Sequence, residues 1–125
     1  NKTYRWRAYA CDMADVNQAA GREWTLIQLN GQEVDAAKPP TLRFAHGKLT
    51  AFGGVNRLTA TYALVDDTVI MSDSATTLMA GGPEAMKLEI DYAKTLASVN
   101  GFQVSGGELR LLSDGKVVAT FRVAE

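Results

Sequence analysis

A single carboxylate, Glu89, lies among apolar residues in the one helix that the sequence predicts. This helix should run from Pro83 to about Ser98, and with about 100° of rotation per residue its apolar side chains fill one broad arc. Glu89 falls inside that arc, between Ala93 and Leu96. A carboxylate buried there could act as a catalytic acid or base with a shifted pKa. It could instead hold the helix to a loop by accepting hydrogen bonds, because a bare buried carboxylate costs several kcal/mol.

Catalysis by one carboxylate would require a base, a nucleophile or a metal beside it, and the sequence offers no such partner. It does offer polar residues that could satisfy the charge. Arg57 could form an ion pair, Asn56 could donate its amide hydrogen, and Thr76 and Thr77 could contribute hydroxyls or backbone N–H groups. We therefore predict no catalytic residues, and a structural cluster formed by Glu89, Arg57, Asn56, Thr76 and Thr77.

The other chemically capable residues are explained by turns. His46, the one histidine, precedes a glycine, and nothing in the sequence orients it. Asp66-Asp67 and Asp73 have oxygen ligands suited to calcium but lack the alternating pattern of a calcium-binding loop. Gly53-Gly54 and Gly81-Gly82 lack the Gly-Lys-Ser/Thr ending of a phosphate-binding loop. We predict no metal site and no cofactor.

Composition narrows the functional class. The chain has 125 residues, 46% hydrophobic and 22% charged, which is typical of a single globular domain. A net charge of −1 with scattered basic residues argues against nucleic-acid binding. No apolar run approaches the roughly 18 residues of a transmembrane helix. Cys11, the single cysteine, excludes an internal disulfide; it could be a lipid-modified residue or an ordinary thiol.

Alternating hydrophobicity predicts eight or nine short strands joined mostly by hairpins, with Asn30-Gly31 as the strongest turn signal. Residues 73–82 read as an irregular connector before the helix. The predicted fold is mainly β (α+β): an antiparallel sheet curled into a partly open, calycin-like barrel, with helix 83–98 packed on it or plugging one end. Residues 1–22 form an N-terminal extension, either an edge strand or the remnant of an upstream domain, and residues 23–125 form the domain.

Several motifs occur in an order shared with a known family. They are Trp24, Asn30-Gly31, Leu42-Arg43-Phe44, Gly54-Val55-Asn56-Arg57-Leu58 with Tyr62, Thr77-Leu78-Met79-Ala80-Gly81, the helix residues Glu84, Met86, Glu89 and Leu96, and the closing Leu109, Leu111 and Phe121. Over residues 24–121 the chain resembles the META domain of HslJ-like bacterial heat-shock and envelope proteins. Family members typically show Gly-Cys-Asn-Arg-Phe at 54–58 and Thr-Arg-Met-Ala-Cys at 77–81.

Both family cysteines are absent from this chain, where Val55 and Gly81 occupy their positions. Their joint loss is what the resemblance implies if the two cysteines pair with each other, and it removes a cross-link of about 2–4 kcal/mol. The family arginine before the methionine is replaced by Leu78. We therefore expect Arg57 to be the only basic partner available to Glu89.

The resemblance implies a bacterial envelope protein of the periplasm or outer surface, with a lipid anchor through an upstream segment as one option. It also implies a loose connection to stress tolerance and no enzymatic activity. We expect a monomeric, non-enzymatic module that contacts an envelope protein partner. The alternative is a small barrel that binds an apolar ligand or lipid. Large residues on the predicted strands and helix, among them Leu42, Phe44, Leu64, Ile70 and Tyr92, favour a filled barrel and hence the first hypothesis.

Overall fold

The computed structural model of the protein describes residues 3–9, 19–36, 38–77 and 79–124. The strands within these residues are β1 (Tyr4–Ala8), β2 (Glu23–Leu29), β3 (Gln32–Glu33), β4 (Thr41–Ala45), β5 (Lys48–Phe52), β6 (Arg57–Val65), β7 (Thr68–Thr76), β8 (Gly101–Ser105), β9 (Glu108–Ser113) and β10 (Lys116–Val123), and the helix is α1 (Pro83–Ser98). Cys11, most of the predicted linker at 12–21 and Leu78 lie outside the described residues.

Nine of these strands close into a barrel. Going round it, the order is β1, β7, β6, β5, β4, β2, β10, β9 and β8. The β2–β10 pairs, such as Trp24 opposite Val123 and Leu26 opposite Phe121, complete the ring. The two-residue strand β3 pairs only with β2 and lies outside the ring. The prediction of a mainly β, calycin-like barrel with one helix is confirmed, and the barrel is closed where the sequence suggested a partial opening.

The N-terminal strand is part of the barrel wall. β1 pairs antiparallel with β7 and parallel with β8, so it has hydrogen-bonded neighbours on both sides. Its alternation buries Trp6 and leaves Arg5 and Arg7 exposed on the outer face. The parallel pair makes the sheet mixed, whereas the hairpin-rich sequence predicted antiparallel pairs alone. Parallel pairing joins strands far apart in the chain, and local turn signals carry no information about it.

Strand β7 is longer than predicted because it contains a bulge. The sequence ended this strand at Ser72, yet it continues to Thr76. Thr61 pairs with Ser72 and Thr59 pairs with Ala75. Between these two pairs the chain advances three residues along β7 but only two along β6. Asp73, at φ 56°, supplies the left-handed backbone that the extra residue requires. Aspartate is common in turns with a left-handed backbone. The sequence therefore predicted that the strand ends before Asp73.

The helix plugs one end of the barrel through Tyr92. Its ring is 2% exposed, lies 6.1 Å from the ring of Phe121, and its hydroxyl donates a hydrogen bond to the Thr41 carbonyl at 3.0 Å. Burial raises the pKa of the Tyr92 hydroxyl well above its usual range. A second contact joins the helix to the β2–β3 turn, where Asn30 Nδ2 donates to Thr95 Oγ1 at 3.2 Å.

The buried face of the helix is narrower than its apolar arc. Thr95 is buried, although its polarity placed it on the outer face. Ile90, at 49% exposure, and Ala93 and Ala97 are exposed, although the wheel placed all three inside. The helix meets the rim of a barrel rather than a flat sheet, so only the residues that point into the opening become buried. Rotational patterning alone cannot supply that geometry.

The barrel interior is filled by large apolar side chains. Trp6, Phe44 and Tyr62 stack edge to face, with ring centroids 6.1 and 5.2 Å apart. Two expected core residues lie elsewhere: Leu64 is 38% exposed, and Ile70 is only partly buried because Val69 and Met71 take the inward positions of β7. The fully or nearly fully buried side chains with the largest volumes are Trp24, Tyr92, Phe121, Leu26, Leu42, Leu109, Leu111 and Pro40.

The role of Tyr92 as a plug gives a stability prediction. Tyr92→Ala should lower the free energy of unfolding by about 3–5 kcal/mol, because it removes an aromatic ring packed inside the barrel. Tyr92→Phe should cost only about 1 kcal/mol, the net value of one hydrogen bond. Ile90→Ala, on the same helix but half-exposed, is the control and should change stability by about 0.5 kcal/mol or less. Urea denaturation measures all three, and equal losses for the alanine variants at 90 and 92 would contradict the plug.

Candidate functional site

The carboxylate of Glu89 joins the helix to the loop between β5 and β6. Glu89 Oε1 accepts hydrogen bonds from the backbone N–H groups of Val55, at 3.1 Å, and Asn56. Its Oε2 accepts a hydrogen bond from Asn56 Nδ2 at 2.7 Å. Three donors converge on one charge, which is the arrangement that makes a partly buried carboxylate stable. We call the cluster of Glu89, Val55, Asn56, Thr77 and Met79 the Glu89 junction.

Asn56 is the centre of this junction. The residue is 8% exposed, and every hydrogen-bonding group of its side-chain amide is used. Nδ2 donates to Glu89 and also to the Met79 carbonyl at 3.0 Å. Oδ1 accepts from Met79 N at 2.7 Å and from Thr77 Oγ1 at 2.9 Å. One side chain thereby connects the helix, the β5–β6 loop and the segment that follows β7.

The remaining predicted members take other roles. Arg57 and Glu89, both within the described residues, form no ion pair with each other. The side chain of Arg57 is exposed. It contributes through its backbone, since Arg57 N donates to Thr77 Oγ1 at 3.0 Å and its carbonyl accepts from Thr77 N at 3.1 Å. Thr77 therefore reaches Glu89 only through Asn56. Thr76 is opposite Leu58 in the β6–β7 ladder.

Glycine at position 53 allows this close approach. A Cβ added at Gly53 would lie 2.6 Å from Glu89 Cγ, well inside van der Waals contact. Gly54 has φ 119°, a backbone conformation that other residues rarely adopt. The glycine pair, which the sequence could interpret only as a bend, thus turns two successive N–H groups toward the carboxylate. The sequence did not predict that the backbone N–H groups of Val55 and Asn56 donate hydrogen bonds to Glu89.

Glu89 is held in its ionised form. Desolvation from partial burial acts to raise its pKa, but the hydrogen bonds from the Asn56 side chain, the Asn56 backbone and the Val55 backbone act more strongly in sum. The pKa of Glu89 is therefore lowered from its ordinary value of 4.5. The carboxylate is therefore ionised and accepts hydrogen bonds from three neighbouring donors.

Val55 and Gly81, the two positions at which the resemblance implies cysteines in other family members, lie against each other. A Cβ built on Gly81 would lie 3.4 Å from Val55 Cβ and would overlap Val55 Cγ2. Disulfides place their Cβ atoms about 3.5–4.5 Å apart, so this separation is just below the lower end of their range. The valine methyls occupy the space that a side chain at position 81 would need, which is consistent with glycine there.

A second feature, an acidic cleft, lies between the β2–β3 region and the first turns of the helix. Its volume is about 700 Å³. Leu29, Val34 and Leu88, which pack against the core, contribute apolar surface to it. Its charged residues are Glu33, Asp35, Glu84, Asp91 and Lys38, so the cleft carries four negative charges and one positive charge, a net −3, in a chain of net −1. No sequence pattern signals it, because the two walls are about fifty residues apart in the chain.

Three of the residues that the sequence assigned to turns, His46, Asp66 and Asp67, occupy turns, whereas Asp73 lies at the bulge within β7. His46 and Asp66 have φ values of 54° and 55° and lie in exposed hairpin turns. Asp67 accepts a hydrogen bond from Arg7 Nε at 3.2 Å, and this bond is the main cause of the lowered pKa of Asp67. Among the described residues, no three His, Cys, Asp or Glu side chains are grouped so that they could hold a metal ion. None of the described helices is both long and apolar enough to cross a membrane.

Comparison with protein families identifies the architecture. The sequence profile of the META domain matches residues 17–125 of the chain. The chain belongs to the META domain family. The resemblance seen in the motifs around Asn56 and Met79 is thereby confirmed, whereas the division into residues 1–22 and 23–125 stays a prediction. No curated protein sequence matches the chain significantly.

Solved structures share the fold. A protein from Burkholderia xenovorans, determined by NMR, superimposes with a TM-score of 0.70 at 22% identity over 93% of this chain and 92% of its own. A second NMR structure gives a TM-score of 0.65 at 18% identity over 86% of this chain and 92% of its own. At these identities the similarity concerns the fold alone.

The lowered pKa of Glu89 gives a pH prediction. A folded-state pKa below the ordinary value stabilises the protein above pH 4.5, and this contribution is lost as the pH falls through the folded-state pKa. Glu89→Gln should therefore cost about 1–3 kcal/mol near neutral pH, with the difference from wild type shrinking in acid. Glu33→Gln, at an exposed carboxylate outside the junction, is the control and should change stability by about 0.5 kcal/mol or less. Urea denaturation over a pH series tests this, and a stability loss in Glu89→Gln that stays constant with pH would contradict it.

The positions of Val55 and Gly81 give a disulfide prediction. In a Cys11→Ser background, Val55→Cys with Gly81→Cys should form an internal disulfide and raise stability by about 2–4 kcal/mol. Thiol titration and mass spectrometry under oxidising conditions detect the bond, and each single cysteine variant is the control. Two free thiols in the folded, oxidised double variant would refute the pairing inferred from the family.

Proposed function

We propose that this chain is a non-enzymatic META domain of the bacterial cell envelope that binds a basic segment of a partner protein in its acidic cleft. The observation that carries this proposal is the concentration of charge there. Four of the fourteen acidic residues and one of the thirteen basic residues border a single cleft of about 700 Å³. Complementary charge of this kind speeds association and selects partners.

The shape and chemistry of the cleft favour a peptide partner. Apolar side chains at Leu29, Val34 and Leu88 can receive aliphatic groups, while the carboxylates can pair with lysine or arginine. Strand β3 lines the cleft and, among the described strands, pairs with β2 alone. An extended segment could therefore add to this edge and present alternate side chains to the cleft, the mode known as β-augmentation.

Two further features support binding rather than catalysis or transport of a large lipid. The Glu89 carboxylate, the strongest catalytic candidate in the sequence, is occupied by three donors. The two cavities beside the aromatic side chains of the barrel interior, one next to Trp6 and one next to Phe44, measure about 90 and 160 Å³, below the roughly 300–1,000 Å³ of typical ligand pockets. Location in the periplasm or on the outer surface, a monomeric state and a role in stress tolerance belong to this proposal as expectations from the family resemblance.

A defined peptide tests the proposal. A short synthetic peptide in which lysine alternates with valine should bind, and the corresponding glutamate peptide should not. Titration followed by ¹⁵N NMR should shift the amides of residues 30–36 and 84–91. Because exposed charges are screened within about 10 Å at 0.1 M salt, affinity should fall as salt rises.

Two triple variants with the same change in net charge provide the control. Glu33→Gln, Asp35→Asn and Glu84→Gln together should weaken peptide binding roughly tenfold or more, because three charges are removed from the cleft. Glu23→Gln, Asp66→Asn and Asp73→Asn remove three exposed charges elsewhere and should leave binding within about twofold; asparagine tolerates the positive φ of the last two. Equal losses in both variants would show that only net charge matters, and would overturn the cleft as the binding site.

A further inference from the structure

The backbone of Glu33 lies at the outer edge of strand β3, beside the acidic cleft. In the pairing of β2 with β3, Glu33 is opposite Gln28, and the next residue, Val34, donates its N–H to the Ile27 carbonyl at 3.0 Å. Successive residues of an antiparallel strand direct their backbone groups to opposite sides. Because Val34 is bonded toward β2, the N–H and C=O of Glu33 point away from β2. Among the described strands, none pairs with β3 on that side.

The side chains along this edge alternate between acidic and apolar. Side chains two residues apart in an extended chain share a face, so the carboxylates of Glu33 and Asp35 lie on one face and Val34 lies on the other. Both acidic residues are exposed, whereas Val34 packs against the core. Val34 and Leu88 of the helix contribute apolar surface to the cleft. A strand added beside β3 would therefore meet a carboxylate at every second position and apolar surface between them.

We infer that the partner strand pairs antiparallel with β3 through the backbone of Glu33, and that lysine or arginine alternates with an aliphatic residue along it. The assignment of this partner rests on the proposed function, which it makes more specific. In antiparallel pairing, one partner residue both accepts from the Glu33 N–H and donates to the Glu33 carbonyl, whereas parallel pairing needs two residues and is slightly less stable. Residues directly opposite each other share a face, so the basic residues lie opposite Glu33 and Asp35 and the aliphatic residue lies opposite Val34.

A second copy of this chain is a poorer occupant of the same edge. Pairing of two β3 strands about a two-fold axis would bring the Glu33 and Asp35 carboxylates of both copies together. Like charges opposite each other across strands destabilise the pair. Charged side chains on an edge strand are one of the means by which proteins prevent such self-association. The same carboxylates attract a basic strand, so the edge favours a different, basic chain.

Backbone methylation of the alternating lysine–valine peptide tests the pairing. Methylating the backbone nitrogens of its lysines removes the donors that face β3 and should weaken binding roughly tenfold or more, because main-chain hydrogen bonds supply the affinity in this mode. Methylating the nitrogens of its valines, which face away from β3, should leave binding within about threefold. A peptide of the same composition, with the lysines in one block and the valines in another, should bind roughly tenfold more weakly. Isothermal titration calorimetry measures all four affinities.

Two variants at position 33 test the same hydrogen bond from the protein side. Glu33→Gln and Glu33→Pro remove the same charge, but only proline removes the N–H. Edge strands accept proline where the N–H faces away from the sheet, so the β2–β3 pair should be retained. The Val34 amide, bonded to Ile27, reports this in ¹⁵N NMR. Glu33→Pro should bind the alternating peptide roughly threefold or more weakly than Glu33→Gln does.

The outcomes separate the pairing from the cleft. If the alternating, block and methylated peptides all bind equally, strand addition is wrong, while the cleft remains the binding site of the proposed function. Equal affinities for Glu33→Pro and Glu33→Gln, with the Val34 amide unchanged, would have the same meaning. Weakening by valine methylation alone would show parallel pairing and overturn the antiparallel register. If no lysine–valine peptide binds, the proposed function fails and this partner fails with it.

Discussion

The hydrogen bonds to the Glu89 carboxylate are the contact on which the position of the helix depends. Two backbone N–H groups and one amide side chain converge on this charge, and the same amide also holds the backbone of Met79. The helix, the β5–β6 loop and the segment after β7 therefore meet at one polar point at the barrel rim. A partly buried hydrogen-bonding group that loses its partner destabilises the fold. Displacing any one of the three segments would leave such groups unpaired on the other two, so the positions of the three segments are coupled.

Positions 55 and 81 carry no cysteine in this chain, so no covalent link reinforces the polar contact there. Where a disulfide could cross-link positions 55 and 81, this chain has a valine whose methyls occupy the space beside a glycine. Packing of Val55 against Gly81 prevents the two segments from moving closer together. It does not prevent them from moving apart, as a disulfide would. The restraint comes from Asn56, from the Tyr92 ring inside the barrel, and from the hydrogen bond between Asn30 and Thr95.

The position of the helix also determines the shape of the acidic cleft and of the small cavity beside Trp6. Its first turns form one wall of the acidic cleft, with Glu84 and Asp91 facing the β2–β3 region. Its second half passes over the barrel rim, where Ala93 and Ala97 leave the small cavity beside Trp6 open. A helix held only by apolar packing could rotate and alter both surfaces. The Glu89 hydrogen bonds are directional, so they set its rotation.

The sequence by itself determined the local elements and their types: the short strands, the hairpin turns such as Asn30-Gly31, the helix 83–98, and a carboxylate at position 89 that had to be satisfied. These follow from side-chain periodicity and backbone preference, which act over a few residues. Only the tertiary structure decided that β1 pairs parallel with β8, that β7 continues through a bulge, and that Val55 and Asn56 rather than the Arg57 side chain satisfy Glu89. It alone brought Glu33 and Asp35 beside Glu84 and Asp91, and left the Trp6 N–H without an acceptor in the described chain. These contacts join residues distant in the chain, and their geometry follows from barrel closure, which no local pattern encodes.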